Sequence, residues 1–152
     1  MRIHFVCLGN TFRSRLAEAY AKSRFTEHTY SSSGLEASKN VNGAMTWYGQ
    51  MIAEKEHLLP FLFPTWRQLD WDGLVDYDLV ICLDAGVGKV MKEHLSSFTG
   101  LHIVDVPDVV ELKDRKKMLE QAMQSFQKIV RVVEGIDCDF LPDNAKLSSA
   151  RK

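Results

Sequence analysis

The 152-residue sequence predicts an α/β fold with three layers, a four-stranded parallel sheet and helices on both faces. Two observations predict it. Short apolar runs alternate with amphipathic helical patterns along the chain, and the length suits one domain with little room for a second. Strands that alternate with helices pair in parallel through right-handed crossovers. Ligands then gather outside the carboxyl ends of the strands, which points to the loops at 7–14, 34–43, 84–87 and 106–113.

Ile3 to Leu8 is an apolar run read as a strand buried on both faces. Gly9-Asn10-Thr11 breaks it, and a helix is expected from Ser14, with Leu16, Ala17, Ala19 and Tyr20 apolar and Glu18 and Lys22 as an i,i+4 pair. A second strand is expected over Thr29 to Ser33, ending at Gly34, and a polar loop over 35–43. Helix signals run from Ala44 to Glu56, and Pro60 and Pro64 then interrupt a Phe- and Leu-rich stretch. Leu79 to Leu83 reads as the third strand, Val87 to Leu95 as a helix and His102 to Val106 as the fourth strand. A long helix follows from Asp114 to Val133, with Met118, Ala122, Phe126, Ile129 and Val133 on one stripe and Gly135 as its stop. One domain over 1–143 and a frayed tail over 144–152 complete the expectation.

Composition narrows the function. Hydrophobic residues are 45% and charged residues 26%, the mix of a soluble globular chain. Nineteen basic against 20 acidic residues give a net charge of −1, which argues against nucleic acid or an anionic membrane as partner. No apolar run has the ~18 residues of a membrane span, and the start is too short for a secretory signal. Three widely spaced cysteines, Cys7, Cys82 and Cys138, do not form a disulfide framework, so a reducing, cytoplasmic setting is expected. The five histidines have no metal-ligand spacing, and no metal site is expected. Trp47, Trp66 and Trp71 are expected to pack in the core with Phe61, Leu62 and Phe63.

The chemistry lies in Cys7-Leu8-Gly9-Asn10-Thr11-Phe12-Arg13-Ser14, a Cys-x5-Arg-Ser loop between a buried strand and a helix. A loop wound this tightly turns its N–H groups inward and adds the positive end of the helix, which suits a phosphate dianion. Arg13 offers a planar fork for two phosphate oxygens. The same field favours a thiolate at Cys7, a nucleophile for phosphoryl transfer. The plainer alternative is a buried structural cysteine beside a surface arginine.

The segment VCLGNTFRSRLAEA resembles the active-site segment of the low-molecular-weight protein tyrosine phosphatases. Ser32-Ser33-Gly34, Arg67-Gln68-Leu69, Asp78 to Asp84 and Val106-Pro107-Asp108 are similar to further segments of that family, in the same order, so the resemblance spans about residues 1–133. It implies Cys7 as nucleophile, Arg13 as phosphate clamp and Asp108 as general acid. It also implies that residues 8–14, with Leu8, Gly9, Asn10, Thr11, Phe12 and Ser14 beside Arg13, hold the phosphate. Asn10 would keep the strained turn of the loop, and Ser14 would hydrogen-bond the thiolate. No cofactor or metal is implied. The implied substrate is a phosphotyrosine protein or small aryl phosphate, with a phosphocysteine intermediate and inorganic phosphate as product.

Asp108 also has support of its own, because it follows a strand and Pro107 turns the chain there; Asp105, three residues earlier, lies in the strand pattern. The sequence departs from the family pattern in four places. Phe12 replaces a second cysteine, Arg15 a proline, and Val109-Val110 a proline and an aromatic residue. Pro64 stands near where a histidine supports the loop, which puts that support in question. Phe12, Trp47 and Tyr48 are candidates for an aromatic rim, and the basic run Lys113, Arg115, Lys116 and Lys117 for attracting an acidic phosphopeptide. A thiol-dependent arsenate reductase and a non-catalytic phosphate-binding regulator are the alternatives; Cys82 suits the first of two redox positions in the former, and no second cysteine follows it nearby.

Overall fold

The structure is a computed structural model that describes residues 1–41 and 43–140. Its four parallel strands are β1 (Arg2–Cys7), β2 (Thr29–Gly34), β3 (Leu79–Cys82) and β4 (Leu101–Ile103), in the order β2-β1-β3-β4. The helices are α1 (Arg13–Arg24), α2 (Trp47–Lys55), α3 (Ala85–His94), α4 (Arg115–Glu134) and α5 (Ile136–Asp139). This is the α/β sheet that the alternating pattern predicts.

Successive side chains of a strand point to opposite faces, and β1 uses both. Ile3 and Phe5 join α1, α2 and α4 in one core, built around Leu16, Ile52, Phe126 and Ile129. Val6 joins Val80, Cys82, Val87 and Met91 beneath α3 in the other. His4 lies on this second face, where β2 carries Ser31 and Ser33 instead of apolar residues; its Nδ1 is 2.6 Å from Ser31 Oγ and its Nε2 2.7 Å from Ser33 Oγ. The register pairs Cys7 with Gly34 and Val6 with Cys82, which aligns the ends of three strands around one loop.

Element boundaries differ from expectation where side chains cap helices. α2 starts at Trp47 rather than Ala44 because Thr46 Oγ1 accepts from Gly49 N–H at 3.3 Å. α3 starts at Ala85, two residues early, because Asp84 Oδ1 accepts from Val87 N–H at 2.8 Å. The stripe of α4 is as expected, and Asp114 caps it by accepting from Lys116 and Lys117 N–H. α4 ends at Glu134 with Gly135 as its C-cap, as expected; the glycine is in the right-handed region rather than the left-handed one, and α5 follows at once. β4 ends at Ile103, short of Val106.

The tryptophans do not form one cluster. Trp71 stacks on His94 at 4.3 Å, Trp47 lies against Tyr48 and Arg115, and Phe61 and Phe63 are exposed. The expected tail over 144–152, and its boundary at 143, lie outside the described residues. Among the described residues, no helix is long and apolar enough to cross a membrane.

Candidate active site

The loop from Leu8 to Phe12 leaves the centre of the sheet and returns as α1. Its turn depends on Asn10, which is fully buried with φ of 54°, a left-handed backbone that asparagine tolerates better than most residues. The Asn10 amide is satisfied on both ends. Nδ2 donates to Ser14 Oγ at 2.8 Å and to Ser32 Oγ at 2.9 Å, while Oδ1 accepts from Arg67 N–H at 2.8 Å. Gly34 allows this approach of the two loops, since a Cβ there would sit 2.7 Å from Leu8 O and 2.8 Å from Asn10 N.

Cys7 Sγ lies at the bottom of the loop, 2.9 Å from Ser14 Oγ and 3.3 Å from the N–H of Asn10. Among the described residues, no side chain caps the start of α1, so its first N–H groups are open to an outside acceptor. Arg13 is 4% exposed. Its Nη1 donates to Val106 O at 2.9 Å and Asp84 Oδ2 at 3.0 Å, and its Nη2 is 3.5 Å from Asp108 Oδ2. Burial opposes the guanidinium charge, but Cys7, Asp108 and Asp84 outweigh it and raise the Arg13 pKa. Burial likewise opposes ionisation of Asp84, yet the Val87 N–H and Arg13 hold its carboxyl below the usual range.

These groups surround a cavity of about 240 Å³ that Cys7, residues 8–13, Thr46, Tyr48, Glu36 and Asp108 help to line. Asp108 is half exposed and reaches over the mouth from the loop after β4. Asp105 does not line the cavity; its Oδ1 accepts from Ala85 N–H at 3.2 Å, at the start of α3. Tyr48 supplies the aromatic wall, with Phe12 edge-on at 5.0 Å. Burial, with Asp108 nearby, raises the Tyr48 phenol pKa, so the group remains a neutral donor. Trp47 instead faces an adjoining cavity, and Arg115 from the basic run lies 4.6 Å over its ring.

Four contributors were not legible as site residues. Asp84 is visible in the sequence only as the end of a strand motif. Glu18 reads as half of a surface pair with Lys22, yet it is 1% exposed and also accepts from Ser32 Oγ at 2.7 Å and from Arg67. The loop support put in question by Pro64 comes from Arg67 and Ser32, and Pro64 itself is exposed. Among the described residues, no group of three or more His, Cys, Asp or Glu is arranged to hold a metal.

Residues 2–136 match the family model described as low molecular weight phosphotyrosine protein phosphatase. The low molecular weight protein-tyrosine-phosphatase PtpB of Staphylococcus aureus is 41% identical over 58 residues, 38% of this chain and 40% of that protein. The matched segment thus spans well under half the length of this curated relative. Among solved structures, Vibrio vulnificus Wzb in complex with benzylphosphonate has a TM-score of 0.72 at 19% identity, covering 88% of this chain and 94% of its own. YwlE, a Bacillus subtilis protein, is also similar. Its description as an arginine phosphatase comes with a mutant carrying a phosphorylated active-site serine, at TM-score 0.70 and 19% identity, covering 91% of this chain and 97% of its own. At such identities the structures speak for the fold.

Proposed function

Because the chain belongs to the low molecular weight phosphotyrosine protein phosphatase family, we propose that it hydrolyses phosphotyrosine and aryl phosphates through a phosphocysteine intermediate. The observation that carries this reading is the convergence of Cys7, Arg13 and Asp108 on one cavity, with Ser14 bonded to the Cys7 sulfur beneath it. The phosphate dianion docks on the loop N–H groups and the Arg13 fork. The Cys7 thiolate attacks phosphorus, and Asp108 gives its proton to the departing phenolic oxygen. Water then attacks the phosphocysteine, Asp108 takes its proton, and Ser14 donates a hydrogen bond to the leaving thiolate. Inorganic phosphate is released, and the enzyme returns to its starting protonation state. The residues need no cofactor for these steps.

The test is p-nitrophenyl phosphate hydrolysis by the wild type and by Cys7→Ser. Turnover by the wild type, absent from the variant, supports the reading; equal rates refute it.

A second reading is favoured by the carboxylates of Glu36 and Asp108 at the cavity and by the polar Thr11 in its loop. Two acids can hold a guanidinium, so phosphoarginine is the competing substrate, in keeping with the arginine phosphatase activity of YwlE. Paired peptides carrying phosphotyrosine or phosphoarginine distinguish the two by kcat/KM. Arsenate reduction is disfavoured, because burial pushes the Cys82 thiol up to about 12 and leaves it a poor relay. Three free cysteines fit a reducing compartment, the cytoplasm.

A further inference from the structure

Arg15 is the second of the two arginines that flank Ser14 in the first turn of α1, and the phosphate chemistry does not use it. It is 3% exposed, as deeply buried as Arg13. Its Nη1 donates to Ala44 O and its Nη2 to Phe63 O, while among the described residues Nε has no partner and no carboxylate is bonded to the group. Burial pulls the guanidinium pKa down, Glu18 raises it and Arg67 lowers it further. A buried cation with one unsatisfied donor is costly to keep, so stability alone is a poor reason for the residue.

The two carbonyls explain it. Ala44 lies two residues before Thr46, whose N–H donates to Thr11 O at 3.1 Å. Thr46 also caps α2, whose first turn rests on the phosphate loop: a Cβ on Gly49 would approach Phe12 Cδ1 to 3.3 Å. Thr46 and Tyr48 line the cavity. Phe63, the other anchor, stacks against the Arg67 guanidinium at 4.1 Å, in a segment that is tied to the body of the fold through Arg67 N–H and Asn10. Arg15 therefore links helix α1, the cavity wall and a fixed neighbouring segment through one rigid planar group.

We propose that Arg15 is a positioning residue for substrate: its guanidinium straps the wall formed by residues 44–48 against the phosphate loop and so sets the width of the cavity around the group that carries the phosphate. The proposal rests on the phosphatase reading for its kinetic consequence and on geometry for the strap itself. Asn10 has its own partners in Ser14 and Ser32, so the phosphate cradle survives loss of Arg15. Only the wall loosens.

Arg15→Met and Arg15→Lys, made in the full chain, test this. A lysine keeps the charge but cannot bridge two carbonyls with a fixed fork, so both variants should behave alike. KM for p-nitrophenyl phosphate should rise by ~10-fold with kcat within about 2-fold, because orientation of the organic group is lost and the reacting groups are not. Inhibition by vanadate, which needs the loop alone, should be unchanged. Amide exchange at Thr46 should quicken by about 10-fold, while Leu16 N–H, bonded to Phe12 O, keeps its protection. Wild-type KM together with wild-type Thr46 exchange overturns the strap. A parallel loss of kcat, vanadate affinity and protection throughout the chain also overturns it, in favour of a purely structural arginine. If the wild type hydrolyses no phosphate ester, the phosphatase reading fails, and Thr46 exchange still judges the strap. If Arg15→Met does not fold, Arg15→Lys carries the same readouts.

Discussion

Asp84 Oδ2 stands 3.0 Å from Nη1 of Arg13, while Oδ1 of the same carboxylate caps α3 through Val87 N–H. One side chain just past β3 thus fixes both a helix start and the orientation of Arg13, the proposed phosphate clamp. Asp84→Asn keeps one oxygen to cap α3 but turns an amide N–H toward Arg13 Nη1 and removes the charge, so kcat/KM should fall by ~10-fold with little change in melting temperature. Arg13→Lys should lose far more, roughly the 10³-fold scale of a missing phosphoryl clamp, since a point charge cannot make the fork. Steady-state kinetics and thermal unfolding of the two variants check this. A Lys variant near wild-type turnover removes Arg13 from the clamp role.

Asp108→Asn should slow turnover of phosphotyrosine by roughly 10²–10⁴-fold, the range for a lost general acid. The defect should shrink for substrates whose leaving group needs no proton, such as p-nitrophenyl phosphate. Asp105→Asn should have little effect, because that carboxylate serves α3 through Ala85 N–H. The reverse pattern of rates would move the acid to Asp105.

His4 gives a pH dependence of stability. Burial, then the nearby charge of Arg67, lowers its pKa from 6.5 to about 3. Above pH 6.5 both folded and unfolded chains hold it neutral, and it adds no slope. Between 6.5 and about 3 the unfolded chain binds a proton that the folded chain refuses, so stability falls as pH falls across that window. The loss is on the order of a few kcal/mol. Urea unfolding of wild type and His4→Gln at several pH values should show a shallower slope in the variant below pH 6.5. Parallel curves contradict the assignment.

Oxidation should damage Cys7 without disulfide rescue. Cys82 pairs in register with Val6 and lies in the core beneath α3, whereas Cys7, one residue on, points to the opposite face of β1. Diverging Cβ directions do not allow a disulfide, and Phe12 occupies the position next to Arg13. Prolonged peroxide should therefore inactivate the protein through oxygen addition at Cys7, with poor recovery in dithiothreitol. A Cys7–Cys82 link in the peptide map, with full recovery on reduction, contradicts this and revives the arsenate-reductase reading.

The sequence by itself determined the α/β class, the four strands and the loop Cys7 to Ser14. Those features are local: apolar runs, helical spacing, and a Gly-Asn break between a strand and a helix are written in consecutive residues. It also favoured Asp108 over Asp105, because Pro107 marks the turn. Helix starts were less legible, since Thr46 and Asp84 act as caps only through geometry that composition does not display. The tertiary structure alone decided who supports the loop. Ser32, Arg67 and Asp84 come from distant segments, and their contacts with Asn10, Glu18 and Arg13 exist only after β2 and β3 flank β1. It likewise decided that Glu18 is buried, that Trp47 turns to Arg115 while Tyr48 lines the cavity, and that Arg15 reaches two carbonyls across three segments. Such pairings depend on packing between elements far apart in the chain, and sequence spacing carries no record of them.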